Sequence, residues 1–261
     1  MDRSNIEKIA HSNEDKILLA KVWDKVNNGM QRGIPAHTCF LSPRELEMSR
    51  YLFGTAEGLV CFGGYPDAER KMLCFLPDYL DESWLMREDA PVVSLRATFY
   101  EGDTPSHRDF LGSLMGSGIG RETVGDICVG KGHCDFFVTE EIAPYLLQNF
   151  TNAGRTKFRL ERISLTDVII PQPEVRIIKE TLASLRLDGV VASGFRISRS
   201  LATQAICSGK VAVDGLPWEK PDKTVAEGAK ISLRGSGKMK LEKVNGQTKK
   251  GRISVEIHRY V

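Results

Sequence analysis

FRISRSLATQAICSGKVAVDG, residues 195–215, decides how the C-terminal third of this 261-residue chain folds. Ser198 is a favourable N-cap, Leu201, Ala202, Ala205 and Ile206 recur at helical spacing, and Gly209 supplies a stop, so the stretch predicts a helix over Ser198–Ser208. Val211 and Val213 then alternate with Ala212 and Asp214, a strand that Asp214-Gly215 turns. Working outward, Leu182, Leu185 and Val190 lie about one turn apart and predict a first helix over Thr181–Ala192, broken by Ser193-Gly194. Downstream, Ile231 with Leu233, then Met239 with Leu241 after Gly235-Ser236-Gly237, and finally Ile253, Val255 and Ile257 alternate as strands. Two short helices packed on a small sheet result.

Charge points to the ligand of this scaffold. Residues 181–261 hold fifteen Lys and Arg against seven Asp and Glu, whereas residues 1–180 hold 21 against 27, so the whole-chain net of +2 hides a basic C-terminal third. Arg199 falls in the first turn of its helix, where a cation opposes the helix dipole while the neighbouring N–H groups suit an anion; a phosphate would explain both. Arg186, Arg196, Lys210, Lys220, Lys223, Arg234, Lys238 and Lys240 come from segments that a compact fold could gather on one side as an RNA-binding face.

The run SRSLATQAICSGKVAVDG resembles the core of the S4-type RNA-binding domain, also called the αL motif, through Ser198, Arg199, Ala202, Ile206, Gly209, Val211, Val213 and Gly215. Asp214 stands where Asn is usual, which keeps the turn and adds a negative charge. The resemblance implies that Arg186, Ser198, Arg199, Ser200, Gln204 and Lys210 contact structured RNA.

The remaining chain is long enough for further domains with cores of their own. Residues 1–83 read as a mostly helical domain with a hairpin. Ile6, Ile9, Ile17, Leu18, Val22 and Val26 mark amphipathic helices ending at Asn27-Asn28-Gly29, and Ser42-Pro43 starts another helix. Strands at Gly58–Phe62 and Met72–Leu76 flank GGYPDAERK, read as a solvated loop. Residues 88–170 alternate as β-α-β-β-α-β, with strands over Pro91–Tyr100, Val124–Val129, Cys134–Val138 and Lys157–Leu165 and helices over Ser106–Met115 and from Thr139 to Asn149. This is the ferredoxin-like plan, one sheet face under two helices and the other open. Residues 181–261 form the S4-type domain with an extra C-terminal strand, after a linker at Pro171-Gln172-Pro173. The fold class is α+β.

His107, Arg108 and Arg121, joined by Arg155 and Lys157, form a secondary RNA-contact set in the central domain. Phe136-Phe137 are adjacent, so they face opposite sides of their strand and do not form the aromatic pair of a typical RNA-recognition strand. With HRDFLGSLMGSGIGRETVGDI and GGYPDAERK, the whole chain resembles the YlmH family of bacterial proteins, encoded near cell-division genes. RGSGKMKL is similar to that family's Arg-Gly-x-Gly-Arg segment, with Lys238 in place of Arg. The resemblance implies binding to rRNA of the large ribosomal subunit and stabilisation of peptidyl-tRNA during ribosome-associated quality control, beside a factor that synthesises C-terminal tails.

Other classes find less support. Arg186-Leu187-Asp188 is similar to the catalytic motif of pseudouridine synthases, in which the Asp attacks the base, yet no large catalytic domain follows it. Gly116-Ser117-Gly118-Ile119-Gly120 follows a helix rather than a strand, the wrong context for a methyltransferase cofactor turn. Tyrosyl-tRNA synthetases end in an S4-type domain, but their nucleotide-binding signatures are missing. An RNA-modifying enzyme targeted by its S4-type domain is therefore the alternative to a non-enzymatic binder. Cys128, His133 and Cys134 lack a fourth partner for zinc, and no metal or cofactor is expected. The six cysteines read as reduced and buried, no apolar run reaches membrane-spanning length, and MDRSNIEKIAHSNEDK has no signal-peptide core. A cytoplasmic monomer away from membranes is expected.

Overall fold

The protein is described by a computed structural model over residues 5–87, 90–172, 174–248 and 251–260. It divides into two units, one ending at Pro171 and the other beginning at Gln172; Pro173 of the expected linker lies outside the described residues.

The first unit opens with α1 (Ile6–Ile9) and α2 (Asn13–Arg32). The Ser12 side chain accepts the Asp15 N–H, and Leu19, Val22, Trp23 and Val26 make one buried stripe. The stop expected at Gly29 is passed over. A Cβ there would collide with Ala36 of the returning chain, so Gly29 serves close packing, and Gly33 ends the helix at φ 62°. After β1 (Ala36–His37), α3 (Pro43–Phe53) starts in a capping box of Ser42 with Glu45. β2 (Leu59–Phe62) and β3 (Met72–Phe75) complete a sheet of order β1-β3-β2. Trp23 stacks on Phe53 at 5.3 Å within this core.

The unit continues through β4 (Val92–Thr98), α4 (His107–Gly116), β5 (Val124–Val129), β6 (His133–Thr139) and α5 (Ala143–Asn149). A small hairpin of β7 (Asn152–Ala153) and β8 (Thr156–Lys157) precedes β9 (Arg159–Ile163). The sheet order is β5-β6-β4-β9 with antiparallel neighbours, the ferredoxin-like βαββαβ arrangement. α5 starts four residues later than expected because Thr139 still pairs with Val92 in the sheet.

Under the helices, Leu95, Phe110, Leu114, Phe136 and Leu146 are fully buried. The opposite sheet face, expected to be open, is closed: Val92, Cys128 and Phe137 share a core with Phe40, Met72, Cys74 and Leu76 of the preceding strands and loops. The GGYPDAERK loop is docked there rather than solvated. Tyr65 stacks on Phe137 at 5.4 Å, and Asp126 of β5 accepts the Tyr65 O–H (2.8 Å) and the N–H groups of Glu69 (2.6 Å) and Arg70 (3.0 Å). The Arg70 guanidinium donates to the carbonyls of Val124, Phe40 and Arg121. Gly64 lies under the Phe137 ring at φ 97°, where an added Cβ would overlap the ring. Gly64→Ala is therefore expected to lower stability by about 2–4 kcal/mol, from left-handed strain plus overpacking. An unchanged urea midpoint would show the loop is not seated on that ring.

The second unit runs β10 (Val175–Leu182), α6 (Leu187–Phe195), α7 (Arg199–Cys207), β11 (Val211–Val213), β12 (Leu216–Pro217), β13 (Lys230–Leu233), β14 (Gly237–Gln247) and β15 (Ile253–Tyr260). Its sheet has order β10-β15-β14-β13-β11-β12. Both helices pack on one face, where Val190, Val191, Ala202 and Ile206 meet Val211, Ile231, Met239, Leu241 and Ile257. Asp214 and Gly215 both take positive φ (50° and 86°), the geometry of a two-residue hairpin between β11 and β12. The helix expected from Thr181 begins at Leu187 instead, because Thr181 and Leu182 pair with Ser254 and Ile253 of β15. It also runs on through Ser193-Gly194, since Met239 sulfur occupies the place of a Gly194 Cβ.

Candidate nucleic-acid interface

The start of α6 and the start of α7 are joined by one carboxylate. Asp188, in the first turn of α6 and only 6% exposed, accepts Arg186 Nε (3.3 Å) and Arg199 Nη2 (2.9 Å) on Oδ1 and Arg186 Nη2 (3.1 Å) on Oδ2. Burial alone would raise its pKa; hydrogen bonds from Arg186 and Arg199 outweigh that and hold the carboxyl below its ordinary range. The two arginine side chains stay 42% and 58% exposed. Within the fold the countercharge beside Arg199 in its first helical turn is thus Asp188, a partner the sequence reading, which pointed to a phosphate, did not name. Ser198 caps α7 by accepting the Leu201 N–H at 3.2 Å, and its hydroxyl lies 2.9 Å from that of Ser200.

Lys220 and Lys223 are brought to the same place by the backbone. The Lys223 carbonyl accepts the Leu187 N–H (2.9 Å) and the Pro221 carbonyl the Asp188 N–H (3.0 Å), so this loop wraps the start of α6. Lys223 Nζ sits 3.7 Å above the Trp218 ring. At the other end of α7, Lys210 donates its N–H to Ala205 and accepts the Arg234 N–H at 2.9 Å, pairing these two exposed cations. Between the ends, Ser200 and Gln204 are exposed one turn apart on α7, and Arg196 is the exposed left-handed cap of α6 at φ 55°.

Lys238 and Lys240 are not gathered with them. Met239 and Leu241 face the helices, so alternation turns Lys238 and Lys240 to the opposite sheet face, where Lys240 meets Glu242 at 2.8 Å. The single basic side expected for all of these residues is corrected to two faces. Burying Met239 and Leu241 was the signal that could have separated them.

In the first unit His107 and Arg108 are exposed behind a capping box of Ser106 with Asp109. Burial, followed by the charge of Arg121, pushes the His107 imidazole down. Arg155 and Lys157 are exposed on the β7–β8 hairpin, which hangs from α4 through Gly154 N–H donating to Ser113 Oγ at 2.9 Å. Arg121, expected in the same set, is half-buried and turned partly to the fold. Its Nη1 donates to the carbonyls of Val124 (2.5 Å) and Gly125 (3.2 Å), bonds that fix the entry to β5. Arg70, expected on a solvated loop, is its neighbour in that work.

Cys128 and Cys134 belong to cores on opposite faces of the sheet, and among the described residues no three His, Cys, Asp or Glu side chains could share a metal ion. Cys207 is exposed on α7, against the expectation of uniformly buried thiols; burial raises the Cys74 and Cys128 thiols to about 12. No helix among the described residues is long and apolar enough to cross a membrane.

Two family models match the chain. Residues 102–167 match the "Putative RNA-binding domain in YlmH", and residues 185–231 match the S4 domain. The chain is 37% identical over 224 residues to the Ribosome-associated protein quality control protein P2 of Bacillus subtilis (strain 168), covering 85% of this chain and 86% of that one. In fold it is similar to the structure of Cell division protein ylmH from Streptococcus pneumoniae, at a TM-score of 0.50 and 20% identity, over 61% of this chain and 97% of that chain.

Proposed function

Since the chain belongs to the YlmH family and carries that family's RNA-binding domain with an S4 domain, we propose that it binds structured rRNA of the large ribosomal subunit and stabilises peptidyl-tRNA during ribosome-associated quality control. RNA binding in a ribosome-associated role is carried by the two domains. On this proposal the chain acts as a monomer in the cytoplasm, beside a tail-synthesising factor, with no bond made or broken.

One observation carries this reading: two half-exposed guanidiniums are held side by side at the helix starts, with Lys220 and Lys223 wrapped beside them. Arg186, Arg196, Ser198, Arg199, Ser200, Gln204, Lys210, Lys220, Lys223 and Arg234 are assigned to the principal contact, and His107, Arg108, Arg155 and Lys157 to a secondary one. The pseudouridine synthase-like form of the RNA-modifying alternative would need Asp188 as a nucleophile, yet both of its oxygens accept guanidinium donors, which lowers their nucleophilicity.

Phosphate recognition sets the test. Displacing counterions at about five phosphates gives an expected log–log slope of affinity against salt of roughly −3 to −5. Co-sedimentation with purified large subunits across a potassium chloride series measures it, and a nearly flat dependence would remove the electrostatic contact.

A further inference from the structure

We propose that Asp188 is a positioning residue of the RNA contact, so that removing its negative charge weakens RNA binding instead of strengthening it. This rests on the phosphate-binding reading above, and it opposes simple charge counting. A carboxylate in the middle of a basic face repels phosphates, so its neutralisation should raise affinity if it did nothing else.

The geometry argues otherwise. Arg186 immediately precedes α6 and Arg199 is the first residue of α7, so both guanidiniums lie at the positive ends of helix dipoles and are repelled from them. Asp188 Oδ1 accepts from both, which ties the two helix starts together and fixes the separation of the two cations. Of the five N–H donors on a guanidinium, Arg186 spends two on Asp188 and Arg199 one. The side chains remain 42% and 58% exposed, so donors are left for an outside acceptor. A fold contact alone would be satisfied by one arginine on this carboxylate; the second adds net positive charge that faces solvent. Arginines already ordered lose less rotamer freedom when phosphates arrive, and that is how a buried anion can raise affinity for an anionic partner.

The sign of the effect is the test. Asp188→Asn keeps the shape and one acceptor but releases the second guanidinium. Binding to purified large ribosomal subunits is expected to fall about tenfold, with the salt slope shallower by about one, because one phosphate contact is lost. Affinity equal to or above that of the parent chain, or a steeper slope, would overturn the proposal. Should Asp188→Asn melt many degrees lower, Arg199→Lys decides in its place: it keeps the charge and the carboxylate but loses the fork, and it is expected to bind about tenfold more weakly. Unchanged affinity of that variant overturns the proposal as well. Lys210→Glu with Lys223→Glu separates the two levels. If this pair leaves binding intact, the RNA-contact reading fails and takes the Asp188 role with it; if it weakens binding while Asp188→Asn does not, only the Asp188 role falls.

Discussion

Arg96→Met is expected to cost the first unit about 3–5 kcal/mol, a large share of the stability of an ordinary domain. Asp135 of β6 is fully buried, and Arg96, directly opposite on β4, grips it with Nε on Oδ1 at 2.7 Å and Nη2 on Oδ2 at 2.6 Å. The pair also orders the chain leaving the sheet. Asp135 Oδ2 accepts the Ile169 N–H at 2.7 Å, and Arg96 Nη2 donates to the Asp167 carbonyl at 2.8 Å. Methionine would fill most of the arginine stem while leaving a carboxylate in the interior with a single amide donor. Arg96→Met with Asp135→Leu should recover much of the loss, since the desolvation cost disappears along with the attraction. Urea unfolding measures both; a loss under about 1 kcal/mol for the single variant would mean the pair is in practice solvated.

That ion pair lies on the sheet face expected to be open, and the same contrast separates what the sequence reveals from what it hides. Signals carried within about ten residues were legible: the Ser198 cap, the Ser42-Pro43 helix start, the Asp214-Gly215 turn and the alternation that marks the strands of the β-α-β-β-α-β succession. Contacts between distant segments were not. Nothing local to GGYPDAERK announces that Asp126 accepts its amides, and nothing near Val175 announces pairing with Tyr260. Glycine misled twice for the same reason. Gly29 and Gly194 look like helix stops, but each is small so that a side chain brought back by the fold can fit, Ala36 of the returning chain in one case and the distant Met239 in the other. At the interface, residue types were readable and their pairing was not: Arg186, Asp188 and Arg199 were each noticed, but only the fold puts them on one another. Leu201 shows the limit of periodicity itself, since it sits in the apolar pattern of α7 yet is 54% exposed beside the arginines.

Reversing Lys210 and Lys223 together, both to glutamate, is expected to weaken binding to large subunits by about 100-fold, from two lost charge-assisted contacts and two carboxylates set against phosphates. These two are the informative pair because, among the described residues, neither ammonium is ion-paired with a carboxylate. Lys210 is held through its backbone, and Lys223 spends its ammonium on the Trp218 ring rather than on a carboxylate. Arg199→Glu would confound the measurement by placing a second carboxylate against Asp188. The matched control is Lys238→Glu with Lys240→Glu, the same change in net charge on the sheet face away from the helices, read beside its own melting temperature because Lys240→Glu sets a carboxylate against Glu242. If RNA reads the shape of the helix-bearing face, the control should lose only a few-fold through the general field. If both pairs lose equally, the chain is attracted to RNA by its charge alone, and the ordered guanidiniums at the helix starts confer no location on the contact.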